Sequence, residues 1–263
     1  MKGLIVAVGL TGFLALSVIP LNAQGRCRYE EERTLTVPVE SRQELRLDAG
    51  SGFLEVVGVD GLTEIRARAR ACASREEYLE ELELTWEDRG STVLLETHYP
   101  DLDGWWGGGN RYARLDLTVE VPEGMAAEIR DSSGEILIRD LGDLVVDDGS
   151  GEMEISNVHG SLRIDDGSGE IMVWDVEGDV EIDDGSGEME LEGIGGTVTL
   201  ADNSGDVDIR DVQRTVRVLR DGSGSIDVDG VGGDFIVERD GSGDIEFRNV
   251  AGRVDIPRKK RAP

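Results

Sequence analysis

Histidine and cysteine occur only twice each in 263 residues, proline six times, and aromatic side chains make up 5% of the chain. His98 and His159 have no metal-ligand spacing to one another, and neither falls at a periodic position that would designate one serine as a nucleophile. The Gly-x-Ser-x-Gly elbow of hydrolases is missing as well. The sequence therefore offers no catalytic, zinc-binding or cofactor-binding constellation. Basic residues are also few: 27 Lys and Arg stand against 56 Asp and Glu, a formal charge of −29 at pH 7. A surface of that sign repels nucleic-acid phosphates and anionic lipid, and it suits solubility, cations or a basic partner. With 36 glycines and so little proline, many tight turns are expected rather than a disordered linker.

Long apolar runs are confined to the start. Lys2, the stretch Leu4 to Leu21 and the small residue Ala23 read as an export signal covering residues 1–23, cleaved before Gln24. An uncleaved anchor is the alternative for a run of that length; after cleavage no integral span is expected. Cys27 lies too far beyond the apolar run to be a lipidated first residue. In an oxidising compartment Cys27 and Cys72 are candidates for a disulfide, with two free thiols as the other reading. Closing that 45-residue separation contributes about 4 kcal/mol in the loop-entropy picture. The expected location is the periplasm or the extracellular surface of a bacterium.

What the chain has in abundance is a repeat. Ser133, Ser150, Ser168, Ser186, Ser204, Ser223 and Ser242 recur at spacings of 17, 18, 18, 18, 19 and 19, and an isolated earlier copy sits at Ser51. After Ser150 the apolar residues are Met153, Ile155, Val158, Leu162 and Ile164, and later copies hold the same offsets of +3, +5, +8, +12 and +14. Offsets +3 and +5 read as one inward strand, +8 as a corner, and +12 with +14 as a second strand. Five apolar side chains cannot offset the ordering of eighteen residues, so a single coil fails alone. Stacking coils about 4.8 Å apart turns the five positions into continuous apolar columns. The expected fold is all-β: a parallel β-solenoid of about 18-residue coils over residues 131–257, with right-handed winding favoured by analogy with parallel crossovers.

Residues 24–130 are read as a smaller β-rich region. It holds a first solenoid-like coil at 48–65, with Leu54, Val56, Val59 and Ile65 at the repeat offsets, then a strand with Arg66, Arg68 and Arg70 on one face. A short helix follows, with Ser74 as N-cap and Glu77 at the capping-box position, and then a hairpin pairing Leu82, Leu84 and Trp86 with Val93 and Leu95. Trp105-Trp106 lie in a Gly-rich loop, either covering an open end of the core or exposed as contact residues. Residues 258–263 form a basic tail.

Two acidic arrays follow the repeat. Asp131, Asp148, Asp166, Asp184, Asp202, Asp221 and Asp240 stand two before each marker serine, and a glycine always follows it. The aspartates are expected to cap the turn by accepting backbone amides, and the glycines to supply positive φ and close stacking. Repeated Ca2+ sites are the alternative for the aspartates. Glu154, Glu190, Asp208, Asp227 and Glu246 mark an outward acidic face at +4, interrupted by Met172 and by Trp174 at +6, which read as a candidate contact patch.

The Asp-x-Ser-Gly-x-hydrophobic-x-hydrophobic units, preceded by the strand end Val121-Pro122-Glu123-Gly124, resemble the bacterial DUF4097 adhesin-like group, related to the head domains of DUF2807 proteins. The resemblance spans roughly residues 35 to 256. It implies an exported or envelope-associated β-solenoid and carries no catalytic motif. The functional expectation is a non-enzymatic envelope scaffold or adhesin-like surface for protein or glycan contacts. The alternatives are a Ca2+- or carbohydrate-binding module and, more remotely, a polysaccharide-processing β-helix enzyme.

Overall fold

The structure is a computed structural model that describes residues 27–39, 42–102 and 111–257. Residues 1–23, read as an export signal, Trp105, Trp106 and residues 258–263 lie outside the described residues. The first part of the chain forms β1 (Tyr29–Pro38), β2 (Glu44–Asp48), β3 (Leu54–Val59), β4 (Glu64–Ala73), α1 (Glu76–Glu81), β5 (Glu83–Asp88), β6 (Thr92–His98) and β7 (Ala113–Pro122). The repeats then give two strands per coil: β8 (Ala126–Asp131) and β9 (Ile136–Leu141), β10 (Leu144–Asp148) and β11 (Met153–Val158), β12 (Leu162–Asp166) and β13 (Ile171–Val176). The series continues with β14 (Val180–Asp184) and β15 (Met189–Ile194), β16 (Val198–Asp202) and β17 (Val207–Val212), β18 (Val216–Arg220) and β19 (Ile226–Val231). It ends with β20 (Phe235–Val237), β21 (Ile245–Val250) and β22 (Val254–Asp255).

These strands build a parallel β-solenoid of about seven turns. Two eleven-stranded sheets face each other across the core. The front sheet has the order β1-β4-β7-β3-β9-β11-β13-β15-β17-β19-β21, and the back sheet β5-β6-β2-β8-β10-β12-β14-β16-β18-β20-β22. Register is the repeat register: Met153 pairs with Ile171, Ile155 with Val173, Leu162 with Val180 and Ile164 with Ile182. The five apolar positions of each central coil are buried, and they join one core that runs from Val37 to Val237.

One corner has a cause that the hydrophobic pattern does not announce. Strict alternation from +3 and +5 would turn +7 inward, yet +8 is the buried residue. Position +7 takes a left-handed conformation in each of the seven clustered coils, with φ of 61 at Asp140, 54 at Asn157, 56 at Asp175, 53 at Asp211 and 54 at Asn249, and glycine at Gly193 and Gly230. That single left-handed residue resets the alternation so that Leu141, Val158 and Val176 face the core. Only Asn, Asp and Gly occupy the position, the residue types that tolerate this conformation most readily.

The early part of the chain extends the same two sheets. Ser51 bridges directly to Ser133, and β2 and β3 pair in parallel with β8 and β9, so residues 44–59 lie directly beneath the first of the clustered repeats. Ile65, at +14 by the pattern, lies instead in β4, antiparallel to β7 in the front sheet. The segment between stacks one more parallel pair, β6 on β2 and β7 on β3. The stack is finished there by antiparallel strands: β4 and β1 in front, β5 behind.

Helix α1 spans six residues, shorter than the two to three turns the spacing suggests, and its N-cap is Arg75 without a side-chain cap. Ser74 is diverted: its hydroxyl accepts a hydrogen bond from the Tyr112 amide at 3.1 Å. Tertiary pairing with the loop before β7 outcompetes local capping. The hairpin forms as expected, with Trp86 opposite Leu95.

The serine corner sets the limit on coil spacing. The amide of Gly151 donates to Ser168 O at 3.0 Å, Gly169 to Ser186 O at 2.9 Å and Gly187 to Ser204 O at 3.0 Å. Each glycine has a strongly positive φ, 155 at Gly187, and a Cβ there would overlap the carbonyl oxygen of the glycine one coil back. Gly124 also has positive φ, 72, but nothing stands near its missing Cβ. Gly187→Ala is therefore expected to cost at least about 3 kcal/mol and Gly124→Ala about 1 kcal/mol in urea unfolding. Equal costs at the two sites would show that conformation, and not coil contact, makes glycine necessary.

Candidate functional site

Counted from the preceding serine, Asp166, Asp184 and Asp202 end the second strand of their coils at +16, Asp148 ends that of the shorter coil at +15, and Asp221 and Asp240 follow theirs at +17. Asp148, Asp166, Asp184 and Asp202 share parity with the apolar pair of their own strand and point into the solenoid, and a register shift after Leu200 keeps Asp221 on the inner side despite its extra residue. Asp148, Asp166, Asp184, Asp202 and Asp221 are all buried, Asp184 and Asp202 completely. Parallel register places Asp131, Asp148, Asp166, Asp184 and Asp202 opposite one another in succession, and Asp221 bridges to Asp240. The result is an internal column of carboxyl groups, one per coil. Its N-terminal end stops where Ala49 takes the aspartate position beneath Asp131. There the hydroxyl of Tyr99 both accepts from Ser51 N at 3.0 Å and donates to Ser51 O at 3.1 Å.

Turn capping is fully formed at two members: Asp184 accepts the amide of Ser186 at 3.2 Å and Asp202 that of Ser204 at 3.0 Å. With every member ionised, both oxygens of Asp148, Asp166 and Asp221, and the second oxygen of Asp184 and Asp202, lack a well-formed hydrogen bond, although the turn amides beside Asp148 and Asp166 lie near enough to favour their ionised form in part. Among the described residues no arginine, lysine or histidine is ion-paired to the column; Arg220 reaches Asp183, on the outward side of β14. Burial, reinforced by the carboxylates above and below, pushes Asp131, Asp166 and Asp202 up to about 7. Burial and Asp240 push Asp221 up to about 6, and burial also raises Asp148 and Asp184. A proton on alternate members supplies the missing donors, so the column holds its charge down by sharing protons between coils.

As for a metal, the described residues contain no group of three or more acidic, histidine or cysteine side chains converging as ligands. The column presents one carboxyl per coil rather than a cage, a poor match to the many-oxygen shell of Ca2+.

The outer surfaces are different in kind. On the front sheet Arg210 pairs with Glu190 at 2.6 Å and with Asp208, and Arg248 reaches Asp227 at 3.4 Å. Trp174 stands half-buried on this face between Ser156 and Glu192, and Met172 between Glu154 and Glu190. Leu137, half-buried on β9, is the other apolar side chain of the +4 row. The back sheet carries a shallow groove of about 350 Å3 lined by residues including Asp143, Val145, Arg163, Glu181 and Thr199. Cys27 and Cys72 form a disulfide that ties the chain two residues before β1 to β4. No helix among the described residues is long and apolar enough to cross a membrane.

Sequence reasoning located the aspartates and read them as turn caps, with Ca2+ sites as the alternative, without placing them inside the solenoid. The signal that they face inward was the parity that Asp148, Asp166, Asp184 and Asp202 share with the apolar pair of their own strand, two and four residues earlier. Of the three tryptophans singled out, only Trp174 is described, and it lies on the outer face as expected.

A disulfide-tied parallel solenoid with an acidic exterior and a glycine-stacked serine corner defines a class of repeat protein, and a family follows from its sequence. The Toastrack DUF4097 family profile matches residues 84–257, and the chain belongs to that family. Three solved structures are similar at low identity. A candidate cell adhesion protein from Clostridium sporogenes is 15% identical with a TM-score of 0.35, over 87% of this chain and 99% of that one. A candidate lipid-binding protein from Parabacteroides distasonis is 17% identical with a TM-score of 0.49, over 86% and 97%. A candidate adhesin from Bacteroides fragilis is 13% identical with a TM-score of 0.27, over 86% and 97%. No curated protein matches the chain.

The column makes stability depend on pH. A carboxyl raised from about 4 in the unfolded chain to about 7 in the fold stabilises fully below pH 4, and that contribution disappears as pH rises through 7. The solenoid is expected to unfold at lower urea at pH 8 than at pH 5. Asp202→Asn, which removes a buried charge and supplies a donor, should raise stability at pH 8 by about 1–2 kcal/mol and change it much less at pH 5. An equal effect at both pH values would remove the column as the cause.

Proposed function

We propose that this chain is a non-enzymatic, exported scaffold of the bacterial envelope that presents an adhesin-like surface for protein or glycan contacts. The observation that carries the reading is the front face around Trp174. A sheet of parallel strands, held flat by coil register, displays rows of carboxylates broken by Trp174 and Met172. An aromatic side chain next to Met172, flanked by Ser156 and Glu192 and near the Glu154 and Glu190 carboxylates, has the composition of an interaction hot spot, and its natural complement is a protein surface with basic side chains around an apolar recess. The export signal and the disulfide support a location outside the cytoplasm.

A glycan is the second reading, favoured by the groove on the back sheet, where Thr199, Arg163 and Glu181 offer hydroxyl, donor and acceptor around Val145. The two readings use opposite faces, which separates them. Photo-crosslinking in the native envelope from probes at Met172 and Thr199 is the test. The front probe is expected to capture a protein partner, and Trp174→Ala to lower its yield about tenfold while leaving the melting temperature within about 2 °C. Capture from Thr199 that soluble glycan competes away would transfer the function to the back groove. Front capture indifferent to Trp174→Ala would sink the protein reading.

A further inference from the structure

The two ends of the solenoid are finished differently. At the N-terminal end, antiparallel β1, β4 and β5, helix α1 and the Cys27–Cys72 disulfide cover the core. At the C-terminal end nothing among the described residues does so. Phe247, at a +5 position that is completely buried in the inner coils, is 42% exposed there and touches only one side, tilted against Phe235 at 6.0 Å between centroids. Ile245, Val250, Val254 and Ile256 are only partly buried. Strands β21 and β22 are the last strands of their sheets, so one backbone edge of each is unpaired. Repeat proteins ordinarily close such an end with a polar capping unit, and the described residues leave an apolar surface with two sheet edges that no described strand pairs.

We propose that a second copy of this chain docks on that end, tail to tail, about a two-fold axis perpendicular to both sheets. Such an axis maps the front sheet onto the partner's front sheet and the back sheet onto its back sheet, reversing strand direction and stacking order together. Both open edges therefore gain antiparallel partners under one symmetry operation, and the apolar columns run on from one copy into the next.

The side chains of β21 are self-complementary in that arrangement. With Phe247 on the axis, it meets the partner's Phe247, while Glu246 falls opposite the partner's Arg248 and Arg248 opposite the partner's Glu246. Within one chain Glu246 is paired in register with Asp227, a like charge, and has no ion pair among the described residues; an arginine across the axis neutralises it. The charge balance of the coil points the same way. Residues 240–257 carry four acidic and two arginine side chains, against seven acidic and no basic side chains over residues 166–183, so the repulsion that keeps the acidic faces apart is weaker at this end. The rival occupant within the chain is residues 258–263, Arg-Lys-Lys-Arg-Ala-Pro, which holds no large apolar side chain to cover Phe247. Stacking on the N-terminal end of another copy would be heterologous and would grow into a filament.

Sedimentation velocity on the chain purified with its disulfide intact, between about 1 and 100 µM, tests the proposal. A reversible equilibrium that stops at the dimer is expected. Phe247→Glu should weaken it at least about tenfold, with the β-sheet circular dichroism retained. Glu246→Arg and Arg248→Glu should each weaken it by about tenfold, and the double reversal should restore it to within about threefold. The reversal series stands even where Phe247→Glu unfolds the end coil. A monomer at every concentration overturns the proposal, as does a dimer that appears only after residues 258–263 are deleted, which would make the tail the occupant. Species growing beyond the dimer, or a double reversal that fails to rescue, overturn it equally.

Discussion

Everything in this molecule follows from stacking identical backbone one strand spacing apart and in register. The tightest point of the stack is the serine corner, where a glycine amide meets the serine carbonyl of the next coil and no Cβ fits between glycines. Once that contact fixes the spacing, every side chain stands directly over its equivalent. Apolar residues become columns that shed water together, outward acids become rows, and the aspartates become a buried ladder. No single coil contains any of these objects.

The same constraint that builds the core makes the aspartate column costly. In-register stacking of a repeat that puts aspartate at the same position in every coil holds Asp148, Asp166, Asp184 and Asp202 face to face out of water. Burial and the neighbouring carboxylates push Asp166 and Asp202 up to about 7, which favours keeping protons on the column. Outside, the same repetition is harmless because water and interspersed arginines such as Arg210 screen the rows. Charge is tolerated in stacks where solvent reaches it and protonated where solvent does not.

Much of this was legible in the residues. The serine interval, the five apolar offsets and the glycine after the serine specified coil length, the inward positions and the stacking. The left-handed corner at +7 was also written in the sequence, as an unbroken run of Asn, Asp and Gly, but it carries no hydrophobic signal and alternation alone passes over it. The helix showed the opposite failure. Ser74 has the local chemistry of an N-cap, yet its hydroxyl is taken by Tyr112, 38 residues further on, and local spacing carries no information about such a partner.

The sequence by itself determined the repeating unit: its length, its inward residues, its turn chemistry and the acidity of its outer surface, because each of these is set within eighteen residues. Tertiary structure decided the rest. It brought the isolated coil at Ser51 beneath Ser133 across some eighty residues of chain and continued both sheets through the antiparallel strands that close one end while leaving Phe247 open at the other. It also turned seven separate aspartates into one coupled set of acids. These properties depend on which coil lies against which, and a side chain's burial and charge state are fixed by its neighbours in space.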